Sequence, residues 1–184
     1  KYVLTADIEK AFLQIEIHPK DRDVTRFLWL RNPHLPPENN NLVVYRFKRL
    51  PFGVICSPFL LAAVLEKHIT QANIKNYQHL LSNTYVDNII LSSPNIHEFE
   101  TKYKQLKQLF ADAKMNIRQF VINDNSLHKQ IPQHDRDDAS TVSVLGIQWH
   151  VSSDKIVFNF KQWSQQKITK RTILAFIASQ FDPL

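Results

Sequence analysis

The stretch "TYVDNII", Thr84 to Ile90, sets two polar residues, Asp87 and Asn88, between short apolar and β-branched runs. That pattern reads as two short strands of about four residues closed by a two-residue turn. An aspartate at such a turn serves plain turn chemistry or half of a metal site, and the stretch alone leaves both open. A second stretch, "TADIEKAF" from Thr5 to Phe12, has the same shape, an apolar run ending on a carboxylate, with Asp7 lying 80 residues before Asp87. What joins the two decides whether the carboxylates meet.

Outward from Asp7, "YVLTAD" is a strand, "IEKAFLQIEIHPKD" a turn or short helix leading into extended chain, and "DVTRFLWL" a second strand. "RNPHLPPENNN", with three prolines and four asparagines, is a loop. "LVVYRFKRL" beyond it is the antiparallel partner of the preceding strand. The chain breaks at "LPFG", and "SPFLLAAVLEKHITQA" is a helix with Ser57 as N-cap and Pro58 at its first position. After the hairpin, "SPNIHEFETKYKQLKQLFADAKM" is an amphipathic helix with Phe99, Tyr103, Leu106 and Phe110 on its core face. "NIRQFVIN" is a strand, and "NDNSLHKQIPQHDRDDAST" a polar, mobile loop whose "DRDD" run is a solvated face. "SVLGIQWHV" and "KIVFNF" form a last hairpin around "SSD", alternating Ile147, Trp149 and Val151 against Ile156, Phe158 and Phe160. "TKRTILAFIASQF" is a closing helix. The expected fold is α+β, an antiparallel sheet carrying helices on one face, which brings a strand end at Asp7 beside a turn at Asp87.

At 184 residues, 43% hydrophobic and 22% charged, the chain suits one domain with a core. A net charge of +6 and a pI near 9.4 permit an anionic partner such as nucleic acid. Cys56 is the only cysteine, which excludes an intramolecular disulfide and a multi-cysteine zinc site and fits a reducing, intracellular compartment. The longest apolar run, "VICSPFLLAAVL", contains a proline and falls well short of the roughly 20 residues that span a bilayer. No membrane segment or signal peptide is expected. An Asp-Thr-Gly or Asp-Ser-Gly triplet, a His-Glu-x-x-His motif and a glycine-rich phosphate loop are all missing, which argues against those hydrolase and nucleotide-binding classes. Asp21 and Asp23 of "DRD" would share one face of an extended chain and read as a solvated strand entry. Average usage would give about thirteen glycines. The chain has two, Gly53 and Gly146, which mark places where only glycine fits. Both ends read as cut from a longer polypeptide.

Transfer of a nucleotide to a 3′ hydroxyl commonly uses two divalent cations roughly 3.5 to 4 Å apart. Such hard cations take oxygen ligands, and carboxylates at neighbouring strand ends can bridge them. Asp7 and Asp87 meet that requirement if the first strand lies beside the hairpin.

Five segments in order, "LTADIEKAF", "RLPFGVICSPFLL", "TYVDNII", "MNIRQFVIN" and "VLGIQW", resemble the palm motifs of reverse transcriptases in order and approximate spacing. The closing "TKRTILAFIASQFDPL" looks like the segment after the polymerase in retrotransposons of the BEL/Pao class. The resemblance spans nearly the whole chain. It implies a polymerase palm with a ferredoxin-like core over 1–122, a polar loop over 123–141, and a primer-grip-like hairpin with the start of a thumb-side helix over 142–184. The fingers region would lie upstream. It implies that Asp7 and Asp87 are catalytic and hold two Mg2+ ions, or Mn2+, with Asn88 as a weak third ligand. Phe12 would lie under the incoming sugar, Phe52 and Gly53 beside the incoming nucleotide, and Arg118 close to the leaving phosphates. Ser57, Pro58, Tyr85 and Val86 would meet template or primer, and Gly146 and Trp149 would belong to the primer grip. The partners so implied are an RNA or DNA template with its primer, deoxynucleoside triphosphates and the rest of a retroelement polyprotein, in a cytoplasmic particle.

Asn88 departs from the family pattern, which has a second aspartate there. It leaves two carboxylates rather than three against a total metal charge of +4, and asparagine suits the positive φ of a tight hairpin turn. Two competing expectations follow. One is a decayed copy that keeps the fold and binds nucleic acid without polymerising, and the other is a nuclease reusing the carboxylates.

Overall fold

The strand Tyr2–Ile8 (β1) buries Leu4, Ala6 and Ile8 on one face and turns Val3, Thr5 and Asp7 to the other, the period-2 alternation of a pleated chain. A computed structural model describes residues 2–72, 77–164 and 167–180; the end of the closing stretch, 181–184, lies outside them. β1 is an inner strand. It pairs antiparallel with Asn88–Ser93 (β5) on one side and Ile117–Ile122 (β6) on the other, and the two-residue strand Thr84–Tyr85 (β4) edges the sheet in the order β4-β5-β1-β6.

Two helices cover the Leu4 face: Ser57–Gln71 (α2) and Ile96–Asp112 (α4). Leu61, Leu65 and Ile69 of α2, and Phe99, Leu106, Leu109 and Phe110 of α4, join Leu4, Ile8, Ile89 and Leu91 in one core. The ring of His68 bonds the Leu109 carbonyl at 2.7 Å and ties the helices to each other. α4 starts where its sequence dictates, since the Asn95 side chain accepts from Glu98 N at 2.9 Å. This is the expected α+β arrangement, helices on one face and Asp7 on the other.

Several local expectations change. Ser57 is not the cap of α2 but its first residue, with Pro58 second. Cys56 occupies the cap position without a side-chain bond, and the buried Ser57 hydroxyl donates to the Pro51 carbonyl at 2.8 Å. Pro19–Thr25, expected partly as strand, is a 3-10 turn pre-set by Pro19. Asp23 leaves it to pair with Arg26 and Arg46, whose hydrogen bonds hold its carboxyl below the usual range. The strands Arg26–Leu30 (β2) and Leu42–Arg46 (β3) then form the expected antiparallel ribbon. Its loop is stapled by buried Asn41, whose amide donates to the Asn32, Leu35 and Pro36 carbonyls. The single turn Ala11–Gln14 (α1) follows β1, and the helix Tyr77–Ser82 (α3), too short to show a 3.6-residue period, precedes β4.

The stretch expected as a mobile polar loop is folded. Asp124 caps the helical turn Asn125–His128 (α5), Leu127 and Ile131 enter the core, and Asp135 of "DRDD" is 2% exposed rather than solvated. Asp135 accepts from Lys107 Nζ at 2.8 Å and from the Tyr103 hydroxyl at 3.1 Å, while its carbonyl accepts from Phe120 N. Burial first, and that bond to Asp135 second, push the Tyr103 hydroxyl up to about 12. Removing one member of a buried pair costs about 3–5 kcal/mol when its partner is stranded. Lys107 keeps the Asn116 oxygen and the Ile117 carbonyl. Asp135→Ala is therefore expected to cost less, about 2 kcal/mol, read as a lowered urea midpoint at unchanged slope.

"SVLGIQWHV" is two strands, not one. Leu145 and Gly146, at φ 52° and 83°, turn Thr141–Val144 (β7) into Ile147–His150 (β8). Lys155–Val157 (β9) completes a three-stranded sheet, and Phe158 and Phe160 fall beyond it, exposed. The helix Lys170–Ser179 (α6) starts on a reciprocal capping box between Thr169 and Thr172. Among the described residues no helix is long and apolar enough to cross a membrane.

Candidate active site

The β1–β5 ladder sets Asp7 directly opposite Asn88, and Ile8 N donates to the Asp87 carbonyl at 2.9 Å. Asp87 therefore sits at the hairpin tip, one residue from the pair and adjacent to Asp7. Asp7 senses the charge of Asp87. Burial, and next the charge of Asp87, raise the Asp7 carboxyl above its ordinary value, while Arg118 pulls it back. The Asn88 amide donates to Asp87 Oδ1 at 3.0 Å, which leaves the Asn88 oxygen unspent by that bond.

The turn residues are Val86 and Asp87, and Val86 carries the left-handed φ of 57°. Asn88, expected to suit a positive φ, is instead the first residue of β5. A β-branched residue is a poor occupant of the left-handed region, so Val86 stores strain beside Asp87. Its partly buried side chain packs on the core, and Tyr85, 61% exposed, flanks it at the sheet edge.

On the other side, a bulge in β6 shifts the register between Thr5 and Asp7, with Gln119 at φ 53°. The shift seats Arg118 rather than Gln119 opposite Asp7. Arg118 Nη1 lies 3.4 Å from Glu9 Oε1, and Asn116 donates to Glu9 Oε2 at 2.9 Å. That bond chiefly, and Arg118 less, hold the Glu9 carboxyl below its usual value. Glu9 and Asn116 were not singled out in the sequence, although Glu9 stands two residues after Asp7, the spacing that keeps an extended chain on one face.

Phe12, 8% exposed in α1, meets Phe52 edge-on with ring centroids 5.0 Å apart. Phe52 is 63% exposed. Gly53 has φ 81° with no protein atom within 4 Å of where a Cβ would stand, so glycine supplies the backbone conformation here and leaves the outer side of the turn open. Pro58 is exposed, but the Ser57 hydroxyl is spent inside the protein. Trp149 is 6% exposed, packs with Val121 and Val151, and donates from Nε1 to Asp154 at 3.0 Å. Its indole supports β8 from within and offers no open stacking face. A cleft lined by Asp7, Asn88, Gln119, Asp137, Val142 and Val144 lies between Asp7 and β7.

The structure thus brings together Asp7, Asp87, Asn88 and Arg118, and sets Phe12 against Phe52. Among the described residues no group of three or more His, Cys, Asp or Glu side chains is placed to hold an ion. Two carboxylates and an amide oxygen nevertheless form a hard, all-oxygen donor set. Burial first and the charge of Asp87 second raise Asp7, and a cation would offset both, so the residues present fit a divalent metal.

The chain matches the family described as "Reverse transcriptase (RNA-dependent DNA polymerase)" over residues 1–147. No curated protein sequence matches it. Among solved structures it is similar to the foamy viral protease-reverse transcriptase in complex with an RNA/DNA hybrid, at 20% identity and a TM-score of 0.50, over 83% of this chain and 16% of that one. It is also similar to a prototype foamy virus protease-reverse transcriptase mutant, at 22% identity and a TM-score of 0.52, over 88% and 18%. At those identities the likeness is one of fold, and the chain spans less than a fifth of those proteins' length. With the family match covering residues 1–147 of 184, the chain belongs to the reverse transcriptase family.

Proposed function

We propose that this chain is the palm region of an RNA-directed DNA polymerase from a BEL/Pao-class retrotransposon, extending a primer 3′ hydroxyl by two-metal phosphoryl transfer. The observation that carries the proposal is the juxtaposition of Asp7 and Asp87 on the sheet face free of helices. Asp7 and Asp87 would hold two Mg2+ or Mn2+ ions, with the Asn88 oxygen as a weak addition. Such ions supply an activated 3′ oxygen and a charge clamp on the triphosphate. Phe12, backed by Phe52, forms the floor for the incoming sugar, and the turn at Gly53 presents backbone to the nucleotide. Exposed Pro58 and Tyr85, with strained Val86, line the path of template and primer. The β7–β8 turn at Gly146, braced by Trp149, serves as primer grip. Residues 1–122 are then palm core, 123–141 a folded excursion from it, and 142–184 the grip and the first thumb-side helix. The fingers, the remaining polyprotein and a cytoplasmic particle complete the setting, and the RNA/DNA hybrid held by the foamy viral neighbour supports such a template.

Asn88 favours one other reading, a catalytically decayed copy that binds nucleic acid without polymerising. Primer extension on an RNA template by the full-length parent separates the two. Deoxynucleotide incorporation carries the proposal; binding without incorporation carries the decayed copy, and cleavage of the template would point to a nuclease.

Asn88→Asp sharpens the assignment. Opposite unit charges 4 Å apart interact by about 4 kcal/mol at an effective dielectric near 20, before desolvation is subtracted. A net gain of about 1 kcal/mol lowers the magnesium concentration for half-maximal extension about fivefold. Unchanged magnesium dependence would mean that the side chain at this position takes no part in holding the ions.

A further inference from the structure

A line of polar contacts starts at the cross-strand neighbour of Asp7 and runs back into the protein. Arg118 faces Asp7 across the β1–β6 ladder and reaches Glu9 at 3.4 Å. Glu9 is held by Asn116 at 2.9 Å, Asn116 by Lys107 Nζ at 3.2 Å, and Lys107 by buried Asp135 at 2.8 Å. The far end is therefore anchored in the core, and each link restricts the next.

Two features show that Arg118 is more than a surface ion pair. Its Nε is buried without a hydrogen-bond partner, although the side chain as a whole is 39% exposed. A buried guanidinium donor left unmatched is costly and calls for an acceptor. The strand also breaks register to seat it, at a non-glycine residue with φ 53°. Backbone strain of that kind persists where the surrounding structure enforces it, and an exposed ion pair contributes too little to do so.

We propose that Arg118, positioned by Glu9, is a resident counter-cation for the Asp7 carboxylate. It stands in for the metal charge when no ion is bound and competes with the ions for that carboxylate. The arginine fork suits this because one planar group addresses Glu9 and the carboxylate face together. Glu9 acts chiefly through Arg118, keeping the guanidinium on the Asp7 side of the sheet, and its own charge is the smallest of the influences on Asp7. The proposal rests on the metal-site reading above.

The test is Mn2+ binding to the full-length parent without nucleic acid, followed by water-proton relaxation. The ions lost in Asp7→Asn define the site, and if none are lost the metal-site reading itself fails. Given that loss, Arg118→Gln is expected to tighten Mn2+ binding at the site by at least about threefold, because a neighbouring positive charge is gone. Arg118→Lys, which keeps the charge but loses the fork, is expected to fall between wild type and Arg118→Gln. In the Arg118→Gln background, adding Glu9→Gln should change Mn2+ affinity by less than about twofold, since a positioning residue has nothing left to position. Unchanged or weaker binding in a folded Arg118→Gln protein overturns the counter-cation role. A Glu9→Gln effect as large without Arg118 as with it overturns the positioning role. Should Arg118→Gln fail to fold, Arg118→Met supplies the same comparison with the side-chain stem kept.

Discussion

Primer extension by the full-length parent is expected to fall about a thousandfold in Asp7→Asn and again in Asp87→Asn, at every magnesium concentration. A bound metal pair lowers the barrier by several kcal/mol, and each 1.4 kcal/mol or so is a factor of ten in rate. The charge, not the shape, is what these substitutions remove. Asp7→Asn also separates function from stability. Because burial and Asp87 raise the Asp7 carboxyl, its charge opposes folding at neutral pH, and that penalty disappears as pH falls toward the ordinary value of 3.8. The Asp7→Asn protein carries no such penalty, so its thermal midpoint at pH 7 should equal or exceed that of the wild type. An Asp87→Asn protein that extends primers normally would show that Asp87 is a turn residue and nothing more.

Much of this fold could be read from local pattern. The alternation through "YVLTAD", the proline-set start of the first long helix and the aromatic stripe of α4 each carry one period strongly enough to fix an element. What escaped reading lacked a period. α3 has six residues, and the strand "SVLGIQWHV" hides its turn at Leu145, which takes a left-handed φ that leucine does not advertise. The "DRDD" run looked solvated because charge usually is. Asp135 enters the interior because Lys107 and Tyr103, on a helix some thirty residues earlier, meet it there.

The site was legible in its carboxylates and opaque in its supports. Asp7 and Asp87 stand at the ends of apolar runs, a signal that survives in one dimension. The bulge that turns Arg118 toward Asp7 has no such signal, since a register shift belongs to two strands at once. Side-chain destinations were also hidden. Ser57 looks like a contact residue beside its motif, yet its hydroxyl is spent on Pro51, whereas Trp149, a core residue by its own alternation, does pack in the core. Gly53 also answers to its backbone, since it takes a positive φ with open space at its Cβ position.

Phe110→Ala is expected to cost about 3–5 kcal/mol, the range for deleting a fully buried aromatic ring. Phe110 is 0% exposed on the inner face of α4, in the same core as Ile8 and Ile89 of the two strands that carry the candidate site. A domain stable by about 5–15 kcal/mol would lose a large share of that margin. The consequence for chemistry runs through register. Ile8 and Ile89 are held in place by this core, and a slip of one residue in either strand would turn Asp7 inward or carry it away from Asn88. Such a slip would bury a carboxylate in apolar surroundings, so the sheet should unfold cooperatively rather than shift. Urea unfolding should therefore show a lower midpoint with an unchanged slope, and extension per folded molecule should match the wild type at low temperature. Reduced activity in a fully folded Phe110→Ala protein would mean that the core tunes the site and does not merely hold it.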